Sequence, residues 1–327
     1  MRDGRSILVR AVGLAQALVL LGAGAATAAD LASLRKPMTD LTPAAVLHLS
    51  ATADWVAIAR HEVWIGGTGP NALHEIDPKT NREIAAVALP GEPCAGLVIG
   101  FGAIWAPLCG DKAGLARVDL KTHALMVLPV APAGAEGGIA ASADSLWMAT
   151  NKDGALARID PVSGAVRQTV KLAAGSFNPH VRGGVVWVTS IEASLVTAVD
   201  ARTGVVLTTV PAGPRPRFLA DGAGAVWTLN QGDGTLTRID ARRRVAVGTT
   251  ALETPGHGGD IAFARGRVWT TMRKVPLSAT DARTGQVWRQ WVGEGGDSLG
   301  IGFGAIWLTD YYKGDVVRIP LKTALRP

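Results

Sequence analysis

The residues able to do chemistry recur at one register of a repeat. Pro255-Gly256-His257-Gly258-Gly259-Asp260 sets an imidazole and a carboxylate three residues apart, a spacing suited to an acid–base pair. A solvated histidine in a glycine-rich loop is the alternative. In the same register of other repeats stand Asp54, Trp55, Glu136, Asn178, Arg217 and Asp297, with His180 slightly further along and Tyr311 on a neighbouring loop. Carboxylates, an amide, a guanidinium and aromatic rings converging on one mouth suit a small-molecule site. Unconstrained surface loops carry the same residue types, so both readings stay open here. No zinc, EF-hand or repeat-type calcium pattern occurs, nor a G-x-S-x-G or phosphate loop, and the metal ligands are left unassigned.

The elements that must position these residues are set by the repeat. Trp64, Trp105, Trp147, Trp187, Trp227, Trp269 and Trp307 mark seven copies with a period of about 40 residues. Segments such as GVVWVTS at 184–190 are short, rich in Val, Trp and Thr, and bounded by glycine turns, with no helical period. Each copy therefore reads as four short antiparallel strands, and the chain as an all-β, seven-bladed propeller. Eight residues before each Trp comes an apolar residue or proline, among them Val56, Leu97 and Pro179, expected on the innermost strand. Asp77, Asp119, Asp160, Asp200, Asp240 and Asp281 follow the Trp by about thirteen residues, several before T-G or S-G. Their expected work is to bond nearby amides in a turn, not to catalyse.

Residues 1–29 carry Arg2, Arg5 and Arg10, an apolar run from Ala11 to Ala26 and small residues at 26–29, the pattern of a secretion signal. The mature chain is then expected in the periplasm, without a membrane span, as a loose lead-in over 30–44 and one propeller domain over 45–327. Its last repeat ends too early for a fourth strand. Ala45–Leu49 (AVLHL) is expected to supply that strand and close the ring. Formal charge is +6, and losing three Arg and one Asp with the signal leaves about +4. No basic cluster interleaved with aromatics supports nucleic-acid binding. Cys94 and Cys109 are the only cysteines, and centring a hairpin on Phe101-Gly102 puts them opposite each other, a candidate disulfide in an oxidising compartment.

The motifs G-x-[VIL]-W and R-[IV]-D-x-x-[TS]-G, carried across nearly the whole mature chain, resemble those of the streptogramin lyase (virginiamycin B lyase)-like and YVTN-type periplasmic propellers. That resemblance implies seven blades, Mg²⁺ as cofactor and elimination across the ester of a cyclic depsipeptide. It also implies a catalytic Glu three residues beyond a repeat Trp. Those positions hold Gly67, Leu108, Thr150, Ser190, Asn230, Met272 and Asp310, while His257 falls near the family's His. The first expectation is thus a monomeric periplasmic propeller binding a small molecule or a protein at its mouth. The alternative is a lyase-like or lactone-directed enzyme with His257 as base and Asp260, Asp297 or Asp310 on a divalent metal. A third is a subunit partnering a periplasmic redox or transport system.

Overall fold

The computed structural model describes residues 28–326, with side chains from Leu31 onward. All but the last two residues of the expected secretion signal lie outside the described residues. Within them the strands form seven sheets, each built on an antiparallel blade four strands deep from channel to rim. Blade four is representative: Ser176–Arg182 innermost, then Val185–Ser190, Leu195–Asp200 and Val206–Pro211.

Each repeat tryptophan sits on the second strand and is at most 1 % exposed. It packs against the next blade as well as its own. Trp147 lies with Val186, Val188 and Val199 of blade four, and Trp187 with Val226 and Ile239 of blade five. Trp307 of blade seven lies with Ala53, Val63 and Ile65 of blade one, which completes the ring. The indole is the large flat group that fills the wedge between twisted sheets. Trp105, Trp147, Trp227 and Trp307 are covered by Arg117, Arg158, Arg238 and Arg318, the guanidinium carbons 5.3–5.9 Å from the ring centroids. These arginines are the ones that open the R-[IV]-D motif or stand in its place. In blade one that position is Glu75, and His123 of blade two reaches it at 2.8 Å while standing edge-on to Trp64.

The repeat aspartates do the work of turns. Asp200 Oδ1 accepts N–H bonds from Arg202 at 3.0 Å and Thr203 at 2.7 Å, and Gly204 follows at φ +71°. Asp119, Asp160, Asp240 and Asp281 repeat the two-amide pattern. These bonds to the charged form hold the carboxyls low, Asp160 at about 2.

The seventh blade is completed by Ala45–His48, antiparallel to Asp315–Pro320, with Val46 opposite Val317. The expected closing strand is therefore in place. Its loop is fastened to blade one: Ser50 Oγ lies 2.8 Å from His74 Nε2, and His74 Nδ1 lies 2.7 Å from Glu83 Oε1. The lead-in differs from the expected loose segment. Arg35–Pro37 pairs in parallel with the outer strand of blade six, and Leu31 and Leu41 are buried. Apolar residues spaced along the segment find the rim of the barrel-like ring, which a reading of periodicity alone does not reveal.

Cys94 and Cys109 are joined as a disulfide with Cα atoms 5.8 Å apart. The hairpin centred on Phe101-Gly102 holds for Val98 opposite Trp105, but the ladder slips by two residues beyond it. Cys109 consequently stands opposite Glu92 rather than Cys94, and the bridge runs diagonally across the strands.

Candidate functional site: the channel and its mouth

The innermost strands surround a cavity of about 370 Å³. All seven residues eight positions before the repeat tryptophans line it, as expected of the inner strand. One position earlier the blades present Trp55, Gly96, Gly138, Asn178, Phe218, Asp260 and Ser298, a single ring of six residue types at seven positions. The scaffold repeats, and this register does not.

Two members of that ring cross the channel. Trp55 of blade one and Phe218 of blade five have centroids 6.1 Å apart and both are 5 % exposed. Trp55 sits at a bulge between Asp54 and Val56 with φ +52°, a left-handed conformation that a bulky residue adopts only under tertiary constraint. Gly96 of blade two lies beside the pair, its Cβ position 3.8 Å from the Trp55 ring, an ordinary contact distance.

Around the pair stand four carboxylates. Asp260 accepts bonds from the Ile261 amide at 2.8 Å, the Ser298 hydroxyl at 2.7 Å and the Leu299 amide at 3.3 Å. Burial nevertheless pushes its carboxyl up to about 6. Burial and then the charge of Asp297 push Asp54 well up, and its oxygen accepts the Trp55 amide at 2.7 Å. Burial likewise raises Asp297, bonded by the Gly259 amide at 3.0 Å, and Glu136. Asp54, Glu136 and Tyr311 share a second cavity of about 90 Å³ above Trp55.

The cations are mostly committed. Arg217, 9 % exposed, lies 4.7 Å above the Phe177 ring and places Nη2 3.3 Å from the Glu136 carbonyl and 3.7 Å from its carboxylate. Burial lowers its guanidinium pKa, and its Nε has no partner. His180 lies on the channel wall but turns to Asp221 at 2.9 Å, which Arg182 also grips at 3.0 Å. The His180 bond is the main reason the Asp221 carboxyl is held low. Asp221 carries no motif and only the neighbouring blade reveals it.

His257 and Asp260 are not brought together. His257 lines a cavity of about 130 Å³ with Met272, Arg273 and Lys274, Asp260 lines the channel, and no hydrogen bond joins them. Two glycines between them, Gly258 at φ +73° and Gly259 at φ +94°, turn the chain. Asp310 is salt-bridged to Lys313 at 3.5 Å and borders a further cavity with Asp297 and Tyr311. Among the described residues no group of three His, Cys, Asp or Glu side chains is placed to hold a metal ion. No helix of the described residues is long and apolar enough to cross a membrane.

Fold and channel together define a seven-bladed β-propeller with an asymmetric polar mouth. Among solved structures it is similar to BamB from Moraxella catarrhalis, with a TM-score of 0.61, 14 % identity, and coverage of 85 % of this chain and 97 % of that one. At that identity the likeness establishes architecture alone. No protein-family model matches the chain, and no curated protein does.

Proposed function

We propose that this chain is an exported, periplasmic ligand-binding propeller that takes a small molecule at the mouth of its channel. The observation that supports it best is the ring of Trp55, Gly96, Gly138, Asn178, Phe218, Asp260 and Ser298, which puts six different residue types at the seven equivalent positions of one repeat. Packing alone asks for similar residues at equivalent positions, as the seven tryptophans illustrate. Variation confined to a concave polar register suits recognition. Export is supported by the sequence of residues 1–29 and by the Cys94–Cys109 pair. The repeat motifs ally the chain with the streptogramin lyase-like propellers, without their glutamate and with His257 apart from Asp260, so binding is favoured over ester elimination.

The test is a thermal-shift screen of residues 30–327 against small molecules. A ligand at about a hundred times its dissociation constant adds roughly 2.7 kcal/mol of stability. Loss of that shift in Asn178→Ala and Asp297→Ala supports a mouth site. A hit indifferent to both, or no hit alongside specific capture of a periplasmic protein, moves the function to another surface.

A further inference from the structure

Asp54 and Asp260 are buried or partly buried carboxylates to which no Lys, Arg or His among the described residues is bonded. Arg217 is engaged by Glu136 and Phe177, and His180 and Arg182 are engaged by Asp221. An enclosed carboxylate without a counter-ion is costly unless a cation arrives from outside. The same ring also carries two aromatic side chains, Trp55 and Phe218, and two glycines, Gly96 and Gly138. Trp55 and Phe218 line the channel cavity of about 370 Å³, and Gly96 lines it with backbone alone.

We propose that the channel ring is a binding site for a small organic amine, its ammonium paired with Asp260 and its carbon skeleton lying on the Trp55–Phe218 pair in the space beside Gly96. The assignment rests on the channel-binding function above and adds the charge and class of the ligand. Asp260 is pinned by three hydrogen bonds yet keeps acceptor capacity for a fourth donor, since a carboxylate offers about four lone-pair positions. Aromatic faces beside a carboxylate favour an ammonium over a neutral group of equal size. A carboxylate ligand in the channel would meet Asp260, which lines it without a bonded cation, and be repelled.

The probes are benzylamine, phenethylamine, cyclohexylamine and cadaverine, the first three each set against its alcohol and carboxylate counterpart, with calorimetry and tryptophan fluorescence as readouts at pH 7.5 and low salt. Amines are expected to bind at least about tenfold more tightly than the matched alcohols, and the carboxylates not to bind. Asp260→Asn is expected to weaken amine binding by about tenfold to a hundredfold, the range for a hydrogen bond to a charged group. Gly96→Val fills the space while leaving the carboxylates in place, and is expected to abolish binding with the fold intact by circular dichroism and melting. Alcohols or carboxylates binding as well as amines, no amine binding at all, or amine binding indifferent to both variants each overturns the assignment. A carboxylate that binds and is lost in Gly96→Val would overturn the amine while leaving the channel-binding function standing.

Discussion

Trp55 and Phe218 meet across the channel from blades one and five, their ring centroids 6.1 Å apart. Trp55 reaches that position from a bulge at φ +52°, where its own Cβ is sterically unwelcome. The backbone there should prefer glycine once the ring is gone. Trp55→Gly is therefore expected to be more stable than Trp55→Ala by roughly 1 kcal/mol, the reverse of the order found inside ordinary strands. Denaturant unfolding of the two variants decides it, and an alanine variant that is the more stable would mean the backbone relaxes out of the left-handed region.

The tryptophans between blades are a different case. Trp105 is fully buried, donates its indole N–H to the Gly100 carbonyl at 3.0 Å and packs on Ile139, Leu146 and Met148 of blade three. Trp105→Ala should cost about 3–5 kcal/mol in urea unfolding, whereas a loss below about 1 kcal/mol would show that the wedge collapses without it.

Ring closure rests on residues before 50. Removing 30–50 takes away the fourth strand of blade seven, the strap along blade six and the Ser50–His74 bond together. The melting temperature should fall sharply, and an unchanged melt would sink the closure argument.

Asp260 makes stability depend on pH. Its folded pKa of about 6 lies above the value for an exposed Asp, so the protonated form favours the folded state. Its stabilising contribution is complete below about pH 4 and is lost as pH rises through about 6. A shift of about two units corresponds to roughly 3 kcal/mol. Asp54, Glu136 and Asp297, also raised, act in the same sense. The turn aspartates are held low and titrate below this window. Unfolding at pH 5 and pH 7.5 should show a smaller pH difference in Asp260→Asn than in the parent, and identical differences would assign the dependence elsewhere.

The Cys94–Cys109 bridge spans 15 residues and ties down the segment whose Cys94 carbonyl accepts the Glu136 amide at 2.7 Å. Closing a loop of that length is worth about 3 kcal/mol in the chain-entropy model. Reduction should lower the melt, and mass spectrometry of alkylated, unreduced protein should find neither cysteine modified. Two alkylated cysteines would rule the bridge out.

The amino-acid sequence determined whatever local rules govern: seven repeats, strands from their alternation, turns from Asp200 and its counterparts, buried tryptophans, and Ala45–His48 as the missing strand. It also brought Asp54, Trp55, Asn178, Phe218, Asp260 and Ser298 to one mouth, because equivalent positions of a repeat share one height in the ring. Tertiary structure decided what happens across the gaps. Which residues touch over a channel depends on its radius and on the backbone angle at single positions, and neither is written in periodicity. Thus Trp55 finds Phe218, His180 finds Asp221 on the next blade, and His257 and Asp260 line different cavities despite a separation of only three residues. The lead-in found blade six for the same reason. Its leucines record that they must be buried, and only the folded ring says where.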